Sequence, residues 1–144
     1  MFLADGTYPI DIWSFGITAW MIVQGDFLFE HCLRRDYGEE CQFVCPCHYD
    51  ADRQFADIVR LLGPPPADIL KPRSKALDYF DPTGKLKSDK FNVEKRTFES
   101  AETIMDEDSE EKALFLDFIH GMIQWRPEDR KIAAELLKDP WLNS

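Results

Sequence analysis

From Ile12 to Val23 only Ser14 and Thr18 are polar. A helix that is apolar on every side is buried on every side. The run is too short to cross a bilayer, which takes roughly 20 apolar residues. It is too long for a fully buried strand, which usually runs about 4–8 residues. The pattern therefore predicts a central core helix over residues 8–25, with Asp11 in its first turn and Gly25 as its stop. Trp13, Phe15, Trp20 and Met21 then need partners on all sides of that helix.

The next segments are less regular. Asp26-Phe27-Leu28-Phe29-Glu30 is expected to fold its aromatics back onto the first helix. Residues 31–52 have no hydrophobic period and read as a long polar loop. Phe55, Ile58, Val59 and Leu62 then recur at helical spacing over residues 53–63. Asp52 is the expected cap, and Gly63 with Pro64-Pro65-Pro66 the stop. A short helix is expected from Ala67 towards Leu70, and Leu77, Tyr79 and Phe80 are expected anchors. Asp81-Pro82-Thr83-Gly84 is a turn signal.

The last third is helical again. Leu114, Phe118, Ile119, Met122 and Ile123 share a face of a helix over about 109–124, helped by Phe115 and Leu116. Asp108 or Ser109 can cap it, with Glu110 and Glu111 in the favourable first turn. Trp125 to Arg130 reads as a turn, Ala133 to Leu137 as a last helix, and Trp141 as an apolar anchor after Pro140. No segment alternates as a strand. The fold class expected is all-alpha.

Charge and cysteine usage narrow the picture. The 144 residues carry 27 acids against 17 bases, a formal net charge of -10. That argues against general nucleic-acid binding and suits basic partners. Lys85, Lys87, Lys90, Lys95 and Arg96 make the middle locally basic, and Glu99 to Glu111 reverses the sign as a solvated approach to the next helix. No membrane association is expected. The start has neither the basic segment nor the flanks of a signal peptide, so an intracellular location, cytoplasm or nucleus, is the expectation. The seven-residue lead-in before so buried a helix suggests further chain on the N-terminal side.

Candidate chemistry is sparse. Cys41, Cys45, Cys47 and His48 crowd together, with His31 and Cys32 upstream. Cys41-x3-Cys45 fits a zinc-ligand spacing, but Cys45-Pro46-Cys47 is too tight for an ordinary zinc knuckle. Loop cysteines without a metal are the favoured reading. His31 and His120 read as surface or packing residues. No phosphate-cradling glycine motif and no nucleophile elbow occurs. Asp11, inside an apolar stretch, must be hydrogen-bonded or paired if buried: either it caps its own helix or it ties down a neighbouring loop. Arg130, after a Trp-Arg-Pro turn, could clamp a carboxylate.

Asp11-Ile12-Trp13-Ser14-Phe15-Gly16 resembles the opening of the central helix in the large lobe of eukaryotic protein kinases. Arg130, ahead of Pro140-Trp141-Leu142, resembles the end of that lobe. Leu61-Leu62-Gly63-Pro64-Pro65-Pro66 and Asp139-Pro140-Trp141-Leu142-Asn143-Ser144 are most like the serine/arginine-protein kinases and their fungal relatives. The resemblance covers nearly the whole chain and implies a partial C-terminal lobe. Residues 31–52 would be an enlarged loop, 53–63 a docking-type helix, 64–108 the insert after it, and 109–144 the terminal helices.

The resemblance also implies roles. The acid matching Asp11 holds the backbone of the catalytic loop, and the arginine matching Arg130 pairs with a glutamate ending the activation segment. A complete homologue would use ATP and magnesium to phosphorylate protein serine or threonine, with arginine-rich substrates possible. Its glycine-rich loop, paired lysine, catalytic aspartate and metal-binding aspartate have no match here, and no H-R-D, D-F-G or A-P-E occurs. The chain alone is therefore expected to be inactive, with no catalytic, cofactor-binding or metal residue. A non-catalytic peptide- or protein-binding module is the alternative. Two departures bear on this: Arg60 stands where the docking helix tends to carry an acid, with Asp57 one turn earlier, and Ile132 stands where a small hydroxyl residue opens the last helix.

Overall fold

A computed structural model describes residues 8–29, 50–71, 75–91 and 93–143. The Cys32–Cys47 cysteines, His31 and His48 lie outside these, as does most of the 31–52 loop. The chain divides into two compact units. One comprises residues 1–28 and 96–144, the other residues 29–95. Among the described residues there is no strand, only an isolated antiparallel bridge between Phe80 and Leu86. The fold is all-helical.

The first unit is built on α1, Tyr8–Gln24. Gly25 closes it at a φ of 66°, a conformation that costs glycine little, and its N–H bonds the carbonyl of Met21 at 2.9 Å. Later in the unit come α3 (Phe98–Ala101), α4 (Glu110–His120) and α5 (Ala133–Leu136), with short 3-10 helices at Pro127–Asp129 and Pro140–Asn143. α4 begins at Ser109, whose hydroxyl accepts the Lys112 N–H at 3.1 Å, and it supplies the core residues Phe115, Leu116, Phe118 and Ile119. Met122 and Ile123 follow it and are fully buried.

The core is aromatic. Trp20 stacks on Phe115 with ring centres 5.7 Å apart, and Trp141 closes over Phe115 and Phe118 at 5.1 and 5.0 Å. Ring pairs at such separations add roughly 0.5–1.5 kcal/mol each beyond burial. Gly16 lets α1 approach the end of α4. A Cβ there would lie 2.9 Å from Ile123 Cδ1 and 3.0 Å from Met122 Cβ. The C-terminal turn is fixed by Lys131, whose ammonium donates to Asp117 and to buried Asp139, each at 2.9 Å.

The second unit centres on α2, Ala51–Leu62. Phe55 packs against Tyr79 and Phe80 with ring centres 4.7 and 5.3 Å apart, and Phe80 is fully buried. Asp81 organises the turn before Leu86. Its carboxylate accepts from the Thr83 N–H at 2.8 Å and the Lys85 N–H at 3.0 Å.

Several expectations are corrected. α1 is not buried all round: Phe15, Met21 and Ile22 are 47%, 38% and 74% exposed. Burial is confined to the stripe that holds Trp13, Gly16, Ala19, Trp20 and Gln24, and half-exposed Phe15 at its margin sets its ring edge-on to Phe118 at 6.2 Å. α2 starts two residues early, and its cap is Asp50. Asp50 has extended backbone and accepts the N–H groups of Asp52 and Arg53, so Asp52 already lies inside the helix. α4 stops at His120 rather than 124, because the chain turns at Gly121, whose carbonyl takes the Lys131 N–H at 2.7 Å. Residues 67–70 form only hydrogen-bonded turns. Of the aromatics expected to fold back, Phe29 is buried, whereas Phe27 is 46% exposed.

Candidate functional site

Three places in the described residues carry polar groups that could act on something outside the chain. The first is the exposed stripe of α1. Asp11, Ser14, Phe15, Thr18, Met21 and Ile22 are exposed and recur at spacings of three and four, so they share one side of the helix. Asp11 is neither buried nor a cap. Its carboxylate has no hydrogen-bond or ion-pair partner among the described residues. A free carboxylate heading an apolar stripe can accept backbone N–H groups or a cation from a segment laid along it.

Arg130 stands on the opposite, buried side. It is 9% exposed, and its guanidinium carbon sits 5.0 Å from the centre of the Trp13 ring. Nε and Nη2 both donate to the Gln124 carbonyl, at 3.1 and 2.8 Å. Burial pushes its pKa down from the usual value, while the charge of Glu128 works the other way. A guanidinium nevertheless stays charged at any ordinary pH. The geometry joins Trp13 of α1 to the turn after α4 through one planar cation.

The second place is the surface of α2. Asp57 does not stand free for a basic ligand. Its carboxylate lies 3.4 Å from Arg60 Nη1, and its side chain is 12% exposed against 32% for Arg60. Arg60 Nε also donates to the Glu94 carbonyl at 3.4 Å. The residue expected to substitute for a docking acid is thus paired with the residue that replaced it.

The third place lies beside α3 and the start of α4. A shallow depression of about 530 Å³ is lined by Glu99, Glu107, Asp108 and Asp117, with Phe98 and Leu116 among its apolar walls. Lys112 and His120 also line it. His120 is exposed, with its ring edge-on to Phe98 at 5.7 Å, as a packing histidine would be.

The segment beside the depression is anchored by Glu102, which sequence reasoning placed in a solvated run. It is 4% exposed. One carboxylate oxygen accepts from Ile104 N–H at 2.6 Å, Met105 N–H at 2.7 Å and Gln24 Nε2 at 3.1 Å. The other lies 2.8 Å from Lys112 Nζ. Burial alone would raise its pKa, but Lys112, the two amides and Gln24 outweigh that and bring it from 4.5 to about 2. The available sequence signal was Thr97-Phe98-Glu99-Ser100. Thr97 and Ser100 there cap α3 reciprocally, at 3.1 and 3.0 Å, and make Glu102 its C-cap.

Among the described residues, no group of three or more His, Cys, Asp or Glu side chains could hold a metal ion. Nor is any described helix long and apolar enough to cross a membrane.

Among the described residues, then, an apolar helix opens on an unpaired aspartate and is held on its buried side by Arg130. The chain is homologous to serine/threonine protein kinases of fungi and animals over 94% of its length. A serine/threonine protein kinase of Aspergillus fumigatus is 32% identical over 136 residues, which are 94% of this chain and 31% of that protein. The human SRSF protein kinase 3 is 31% identical over 94% of this chain and 22% of its own length. The Saccharomyces cerevisiae serine/threonine-protein kinase SKY1 is 29% identical over 92% of this chain and 16% of its own length. The chain thus spans a third or less of the relatives it matches. No protein-family model matches it.

Proposed function

We propose that this chain forms the substrate-side scaffold of a serine/threonine protein kinase lobe. The complete kinase would pass the ATP gamma-phosphoryl, with magnesium, to a serine or threonine hydroxyl of a protein or peptide substrate. Residues 1–144 would supply no catalytic, nucleotide-binding or metal residue to that transfer, and alone would be inactive. In this reading residues 53–63 are a docking-type helix, 64–108 the insert after it, and 109–144 the terminal helices that brace the lobe.

The observation that carries the reading is the exposed stripe of α1, headed by Asp11, which has no partner among the described residues. Apolar side chains as exposed as Ile22 at 74% imply a surface that works by being covered. The test is association with a polypeptide holding the catalytic-loop and activation segments of an SR-protein kinase relative. Saturable binding that weakens in both Asp11→Asn and Ile22→Asp is expected. Binding indifferent to both would overturn the scaffold reading. The chain with magnesium-ATP and a serine-rich peptide should transfer no phosphate.

The second reading is a non-catalytic module that binds basic peptides. The acidic lining of the depression beside α4 favours it, together with the formal net charge of -10. The paired state of Asp57 argues against α2 as the binding surface. Binding of an arginine-rich peptide that weakens with salt, and more in a Glu107→Gln, Asp108→Asn double variant than in Asp57→Asn, would favour this reading.

A further inference from the structure

The acid-rich stretch from residue 97 to 112 contains three hydroxyl residues besides the α3 cap Thr97: Ser100, Thr103 and Ser109. Two of them are engaged. Ser100 Oγ accepts the Thr97 N–H and donates to the Thr97 carbonyl, both at 3.0 Å, inside the cap of α3. Ser109 Oγ accepts the Lys112 N–H at 3.1 Å as the cap of α4, and the residue is only half-exposed. Thr103 differs from both. It is exposed, and its hydroxyl makes no hydrogen bond with any described residue.

The surroundings of Thr103 suit it as a substrate rather than as a structural group. It lies in residues 102–109, between α3 and α4, where the chain has no regular secondary structure. Its side chain is followed by exposed Ile104, and its backbone N–H is spent on Gln24 Oε1 at 3.1 Å. Asp106, Glu107 and Asp108, all exposed, stand three, four and five residues after it. An exposed loop of that charge complements a basic substrate groove.

We propose that Thr103 is a phosphorylation site for an acid-directed protein kinase. The donor is a nucleoside triphosphate. A bond forms between Thr103 Oγ1 and the terminal phosphorus, and the bond from that phosphorus to the bridging oxygen breaks. The hydroxyl proton passes to the modifying kinase's base, and the nucleoside diphosphate leaves. The proposal is independent of whether the present chain serves a kinase itself. It also separates structure from sequence. By flanking charge alone Ser109 is the better acceptor, with acids on both sides. Its hydroxyl, however, holds the first turn of α4, and using it would cost that cap.

The full chain should be incubated with a purified casein-type acid-directed kinase and magnesium-ATP, and the phosphate located by fragment mass spectrometry. A single phosphate on Thr103 is expected. It should be lost in Thr103→Ala, retained in Ser109→Ala and Ser100→Ala, and recovered in Thr103→Ser. Phosphate placed mainly on Ser109 or Ser100, incorporation unchanged in Thr103→Ala, or no incorporation at all would overturn the proposal.

Discussion

The Arg130 guanidinium sits over the Trp13 ring, with its carbon 5.0 Å from the ring centre. The same guanidinium forks onto the Gln124 carbonyl through Nε and Nη2. One side chain therefore ties the turn after α4 to the first helix, more than a hundred positions earlier. Arg130→Lys keeps the charge but loses the planar fork and the stacking, while Arg130→Ala loses all three. A desolvated cation–ring contact is worth up to about 2 kcal/mol. A hydrogen bond from a charged donor is worth about 1.5–3 kcal/mol. Urea unfolding should show both variants destabilised, with alanine the worse by about 1 kcal/mol or more. A lysine variant as stable as the parent would mean that neither fork nor stacking matters.

Gly16 tests how tightly α1 is seated. Alanine would improve the helix by about 1 kcal/mol on propensity alone. Its Cβ would stand 2.9 Å from Ile123 Cδ1 and 3.0 Å from Met122 Cβ, and both neighbours are fully buried. Overpacking of this kind costs about 1–3 kcal/mol. Met122 Cβ is bonded directly to the backbone and cannot swing away, so the clash should win. Gly16→Ala is expected to lower the unfolding midpoint, and Ile123→Val, which removes Cδ1, should recover part of the loss in the double variant. A stabilised Gly16→Ala would show that the helix can shift to accept the methyl group.

Glu102 sets a dependence on acid. Its pKa falls from 4.5 in the unfolded chain to about 2 in the folded one. The folded form thus binds this proton less readily than the unfolded form. The stabilisation is complete above the ordinary glutamate range and is lost as pH falls from 4.5 towards about 2. Lys112, held above its usual value mainly by its bond to Glu102, keeps its share at neutral pH and loses it only in strong alkali. Glu102→Gln should be less stable than the parent at pH 7 and should lose less on acidification to pH 3. Parallel stability curves for the two proteins between those pH values would show that another carboxylate governs the acid limb.

What the sequence made legible was set by the length of each signal. α1 was plain because a run of twelve positions with only Ser14 and Thr18 polar admits few alternatives, and Gly25 marked its end. Which side of α1 is covered was only weakly marked: the few polar positions Asp11, Ser14 and Thr18 do share the exposed side, but they are outnumbered by apolar residues on it and around it. Met21 and Ile22 look no different from Trp13 and Trp20 in a pattern of apolar positions, yet the first two are exposed and the last two buried. α4 was legible through its period, and its last turn was overrun because Met122 and Ile123 continue the apolar pattern after the helix has stopped. Glu102 was missed for a different reason. A run of acids reads as solvated, and nothing local says that one of them is met by four donors, one of them seventy-eight residues away. Whether Asp11 is buried was not legible either, because its neighbours in sequence are apolar while its neighbours in space are not decided by them; it is exposed.

The start of α5 offers a gain in stability. Ile132 is its N-cap, with extended backbone at φ -81° and ψ 161°, and it is 61% exposed. It gives no oxygen to the first-turn amides. Half of a capping box is already in place, since the Ile132 N–H donates to Glu135 Oε2 at 2.9 Å. Ile132→Thr supplies the missing acceptor, for which capping measurements suggest about 1 kcal/mol. Against this stands lost burial, up to about 1.5–3 kcal/mol for a branched side chain that is wholly covered. At 61% exposure only a minor part of that is at stake, and threonine keeps one methyl group. The Glu135 N–H already reaches the Ile132 carbonyl at 3.0 Å, which trims the gain without reversing it. The unfolding midpoint should therefore rise in Ile132→Thr at unchanged slope, while Ile132→Ala, with no oxygen to offer, should not rise. A midpoint that falls in the threonine variant would mean that packing of the exposed isoleucine outweighs the cap.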